Sequence, residues 1–61
     1  QSLKHLQPIF EPYGFVRVHR SYMVNLASIQ LIHDEEIFIG EHRIPVGRSH
    51  KAALMAAIQV V

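Results

Sequence analysis

Apolar and polar residues change their spacing repeatedly along this chain, and each change marks an element. Leu3 and Leu6 stand three apart behind Ser2, a residue suited to capping a helix start, so Ser2 to Gln7 predicts a short helix. Pro8 disfavours helical geometry at Gln7 and is expected to end the helix nearby. Glu11-Pro12-Tyr13-Gly14 is turn chemistry. Phe15 to His19 then alternates with a period of two, which sets Val16 and Val18 on one face and Phe15, Arg17 and His19 on the other. The valines are the natural core side.

Further on, Ala27 to His33 is rich in Ile and Leu and predicts a second strand. Asp34-Glu35 turns the chain into a third, Glu36 to Ile39. Gly40-Glu41 suits a two-residue hairpin of type II′, because glycine tolerates the positive φ that turn needs, and His42 to Val46 returns. Pro45 has no amide to donate and belongs on an edge or at a bulge. Gly47 releases the chain into Arg48 to Ile58, an alanine-rich helix with Leu54, Ala57, Ile58 and Val61 as its buried stripe. The order predicts a small α+β unit, mostly antiparallel, with about four strands between two helices. The strand Phe15 to His19 has no partner nearby in sequence. An upstream strand is expected to supply one, and the open edge also invites a homodimer.

Size and composition narrow the classes. A chain of 61 residues makes at most one small domain, and such a domain buries only about 60% of its unfolded surface. An apolar content of 49% with 18% charged residues is that of a globular protein. The lack of cysteine removes disulfides and thiolate metal sites and fits a reducing compartment. No apolar run approaches the ~18 residues of a membrane span, and no basic-then-apolar leader is present, so a cytoplasmic location away from membranes is expected. The first residue is Gln1 rather than Met, which suggests a piece of a longer protein.

A net charge of +1 says little, but its distribution says more. Lys4, Arg17 and Arg20 face only Glu11 in the first half. Asp34, Glu35, Glu36 and Glu41 follow as an acidic block, and Arg43, Arg48 and Lys51 as a second basic one. If the fold joins the basic blocks and turns the acidic loop away, one face is cationic. Scattered solvated charge is the plainer reading.

Five histidines raise the question of a metal. No pair is spaced i, i+4 on a helix, and His33 facing His42 across the hairpin would leave two imidazoles, an incomplete zinc site; neither metal nor cofactor is expected. Ser21 and Ser49 each lie near a histidine, but neighbours along a strand point to opposite faces and make poor triads. The three glycines are isolated and form no nucleotide cradle, so an enzyme is not expected. The basic segments are more informative. Arg17, His19, Arg20 and Ser21 all donate hydrogen bonds that suit phosphate, and an arginine also binds guanine O6 and N7 through two parallel contacts. Arg48 stands at a helix start, where the dipole disfavours a cation. That position makes sense if free amides, Ser49 and Lys51 grip a phosphate while Arg48 reaches beyond it. An exposed side chain with free rotamers explains Arg48 equally well.

Phe15-Val16-Arg17-Val18-His19-Arg20-Ser21-Tyr22-Met23-Val24-Asn25, followed by Ile44-Pro45-Val46-Gly47-Arg48, resembles the LytTR family of bacterial DNA-binding domains. Ser2-Leu3 through Leu6 resembles the short helix before this motif. The likeness covers residues 1–61 as the C-terminal portion of one such domain, roughly its last three-fifths, with the early strands absent. It implies an elongated, mostly β fold that reads double-stranded DNA with loops in successive major grooves, usually behind a receiver domain in a two-component response regulator. Arg20 and Arg48 match base-reading positions, and a third belongs to the missing upstream strands. Arg17, His19, Ser21 and Ser49 match positions at or beside backbone contacts; Lys51 is expected at the backbone from its place near the helix start alone. Tyr22, Val24 and the strand isoleucines match core positions. Gly47 replaces a small hydroxyl residue often found before the arginine, which removes one backbone contact. A competing expectation from another class is a β-edge interaction module without DNA binding.

Overall fold

The computed structural model describes residues 3–58. Helix α1 (Leu3–Phe10) leads into a 3₁₀ turn (Glu11–Tyr13) and strand β1 (Phe15–His19). Strand β2 (Tyr22–Asn25), a second 3₁₀ turn (Leu26–Ser28) and strands β3 (Leu31–His33), β4 (Glu36–Ile39) and β5 (His42–Pro45) follow. A third 3₁₀ turn (Arg48–His50) opens helix α2 (Lys51–Ile58). The fold is α+β: β1 and β2 form one antiparallel pair, and β3-β4-β5 form a three-stranded antiparallel sheet.

The alternation in β1 reads out directly: Val16 and Val18 are buried, while Phe15, Arg17 and His19 are half-buried. With Val24, Ile37, Val46 and Leu54 the valines form one core shared by both sheets and α2. Val18 and Ile37 are 0% exposed and Leu54 1%, so each hairpin and α2 drives an anchor into the same centre. No buried side-chain polar atom lacks a partner among the described residues.

Four expectations need correction. First, β1 does have a partner close by. Residues Tyr22–Asn25 return against it, with Val16 opposite Val24 and His19 opposite Tyr22, and a bulge falls between Arg17 and His19. This adds a fifth strand, and the gap thought to call for an upstream strand is filled from within. Second, Ala27–His33 is not one strand. Asn25 Oδ1 accepts from the Ala27 amide at 2.9 Å and winds Leu26–Ser28 into a 3₁₀ turn, so strand β3 begins only at Leu31. Third, α1 runs through Pro8 to Phe10. The Phe10 ring meets Phe15 edge-on at 5.5 Å, and Leu3, Leu6 and Phe10 line an apolar depression with Phe15 and Met23. That packing overrides a proline whose own position, like that of Lys4 one turn earlier, is exposed to water. Fourth, the last helix begins as a 3₁₀ turn, and Ile58 is 43% exposed rather than part of the buried stripe. Leu54 and Ala57 keep their places in that stripe, and Val61 and the Ser2 cap lie outside the described residues.

The remaining hairpins follow the sequence reading. Gly40 has φ +59° with no positive φ at Glu41, in keeping with a glycine-led two-residue turn. Pro45 ends β5, an edge strand. Asp34 and Glu35 both adopt positive φ, +51° and +65°, a demanding conformation for two residues with side chains.

Candidate nucleic-acid interface

Arg20 and Ser21 form the tip between β1 and β2, and both are exposed. Neither adopts a positive φ, although two-residue hairpins favour turns that need it. The bulge beside Val18 and two side chains accommodate the tip instead. Arg17 Nε donates to the His19 carbonyl at 3.3 Å, and Nη2 donates to the Arg20 carbonyl at 3.0 Å. The Ser21 amide donates to His19 Nδ1 at 3.1 Å. The His19 ring lies 5.1 Å from that of Tyr22, which is 45% exposed and therefore not the core residue expected at that position.

Arg48 and Ser49 are exposed in the 3₁₀ turn that follows Gly47. This turn is packed against the end of β1. The Gly47 amide donates to the Val18 carbonyl at 2.6 Å, and the His50 amide donates to the Gly47 carbonyl at 2.9 Å. Gly47 has φ −68°, so its backbone makes no special demand, but the space around it is small. A methyl group there would come within 3.2 Å of the His50 ring and 3.6 Å of the His19 Cα. Two basic segments far apart in sequence are thereby joined by a backbone hydrogen bond. Among the described residues, the guanidinium groups of Arg20 and Arg48 and the Lys51 ammonium take part in no hydrogen bond or ion pair.

The second basic block does not act as a unit. Arg43 leans over the Phe38 ring opposite it on β4, 5.7 Å from the centroid. Lys51 lines a shallow concavity with His33, Asp34 and Glu35, so the acidic turn is not directed away from every basic residue. The Val46 amide, bonded to the Glu35 carbonyl at 2.9 Å, ties that turn to the strand leading to Gly47. Of the seven residues singled out from the sequence, the tip of β1 brings together Arg17, His19, Arg20 and Ser21, and the turn that bears Arg48 and Ser49 is tied to the same end of β1 by the Gly47 amide. Lys51 lines the concavity it shares with Asp34 and Glu35.

Sequence reasoning missed the hairpin itself, and with it the exposure of Tyr22. The available signal was the pattern resuming at Met23 and Val24 soon after His19, spacing that a tight turn would explain. Among the described residues no group of three or more His, Asp or Glu could hold a metal ion, and no helix is long and apolar enough to cross a membrane. The family model of the LytTr DNA-binding domain matches residues 1–59. No curated protein and no solved structure matches the chain.

Proposed function

Because the chain belongs to the LytTR family of DNA-binding domains, we infer that it reads double-stranded DNA sequence-specifically, with loops in the major groove, as the output part of a bacterial transcriptional regulator. Arg20 and Arg48 are the base readers in this proposal, each suited to guanine O6 and N7. Ser21, Ser49 and Lys51 contact the backbone. One observation carries the reading: the Gly47–Val18 hydrogen bond sets the Arg48 segment against the β1 end that bears Arg20, with both guanidinium groups uncommitted. Residues 1–61 act on this reading as the C-terminal portion of the domain, behind upstream strands and a receiver domain, in the cytoplasm. The resemblance supports that context.

The test is a binding titration against a duplex selected from a randomised pool. Arg20→Ala and Arg48→Ala should each cost about 1–3 kcal/mol and relax selection at one base pair. Unchanged affinity for both would sink the proposal.

A second reading is self-association through a sheet edge. It is favoured by β3, which borders its sheet with Leu31 56% exposed beside an apolar groove of Leu26, Ile29, Ile32 and Ile58. Solution mass across a concentration series separates the two readings. A tight dimer indifferent to DNA at low salt favours association.

A further inference from the structure

The Arg20-Ser21 tip has no glycine, no asparagine and no positive φ, so turn chemistry does not determine its shape. Two side chains from β1 do that work. Arg17 spans the carbonyls of His19 and Arg20, and His19 accepts from the amide of Ser21, so both tip residues and the last residue of β1 are each held by a side chain. These bonds also limit what either side chain offers a phosphate. Arg17 has committed Nε and Nη2, and His19 Nδ1 is taken up as an acceptor.

We propose that Arg17 and His19 are positioning residues, which hold the Arg20-Ser21 tip in its DNA-competent shape rather than gripping the backbone themselves. The proposal rests on the DNA-binding reading for its purpose but not for its geometry. A tip already held loses less conformational freedom on binding, and affinity rises through that saving rather than through added contacts.

The chemistry of four substitutions separates the roles. Arg17→Lys keeps the charge, but one ammonium cannot replace a planar fork across two carbonyls. Arg17→Gln removes the charge. His19→Asn returns an oxygen near the place of Nδ1, whereas His19→Gln extends its amide toward the place of Nε2. Two readouts are taken: exchange of the Ser21 amide in the DNA-free protein by NMR, and affinity with its salt dependence for a duplex selected from a randomised pool. Thermal unfolding verifies that each variant folds.

Arg17→Lys and His19→Gln are expected to accelerate Ser21 exchange and to weaken binding about tenfold with an unchanged salt slope. His19→Asn should restore both readouts toward the parent. Parent-like binding of Arg17→Lys, with a salt slope about one unit smaller for Arg17→Gln, would identify a phosphate contact and overturn the proposal. Unchanged Ser21 exchange in both Arg17→Lys and His19→Gln would overturn it as well. The exchange measurement needs no DNA, so failure of the DNA reading, seen as indifference to Arg20→Ala and Arg48→Ala, remains distinguishable from failure of the brace.

Discussion

The Arg20-Ser21 tip and the Asp34-Glu35 tip solve the same problem in opposite ways. Each reverses the chain in two residues between antiparallel strands, and each lacks glycine. The acidic tip takes the backbone geometry that tight hairpins favour and bears two side chains in left-handed conformation. The basic tip avoids that conformation and relies on a bulge and on Arg17 and His19. Backbone strain in one and side-chain bracing in the other both suffice to turn a strand, but only the second leaves an arginine presented on a held loop.

The comparison is broken most severely at the core beneath both tips. Ile37→Ala removes a fully buried anchor from the β4 side and should cost about 2–5 kcal/mol, a large share of what a domain of this size possesses. Because Val18 and Ile37 belong to one cluster, amide protection should fall in both hairpins together. Loss confined to β3 and β4 would show that the tips are independent units.

A pair of glycine substitutions sharpens the contrast with opposite signs. Glu35→Gly relieves a left-handed residue and should stabilise by about 1 kcal/mol. Ser21→Gly relieves nothing and should destabilise by about 0.5–1 kcal/mol through the freer unfolded chain. Thermal or urea unfolding of the two variants checks both signs. The smallest effect is expected at Lys51, which shares its surroundings with Asp34 and Glu35. Lys51→Ala should leave stability unchanged and, through loss of the proposed phosphate contact, lower the slope of log affinity against log salt by about 0.9. The same substitution made together with Glu35→Gln would show how much of that contact the acidic tip suppresses.

Much of this was legible where local pattern and tertiary packing agree. The Val16 and Val18 alternation, the β4–β5 hairpin at Gly40, the edge position of Pro45 and the core role of Leu54 all follow from side-chain period and backbone chemistry. The failures occurred where packing or side chains replaced backbone signals. Arg20-Ser21 contains no glycine, proline or asparagine and is contacted instead by Arg17 and His19, so strong turn signals do not announce the β1–β2 pairing. Pro8 read as a stop because the Phe10–Phe15 contact beyond it is tertiary. Ala27 to Gln30 read as strand because nothing in the apolar pattern reports that Asn25 caps the turn. At the candidate interface, likeness alone picks out Arg20 and Arg48, and the tie between their segments depends on the Gly47 amide, which no spacing rule announces.

That amide has one further consequence, for the DNA rather than the protein. With Gly47 bonded to Val18, the segments that carry the two proposed readers are tied to one another through the backbone. A cognate site would then be defined by a ruler as much as by letters. One base pair inserted between the two recognised positions moves the second by about 3.4 Å along the axis and about 35° around it. The Gly47–Val18 tie opposes a matching shift of one reader relative to the other.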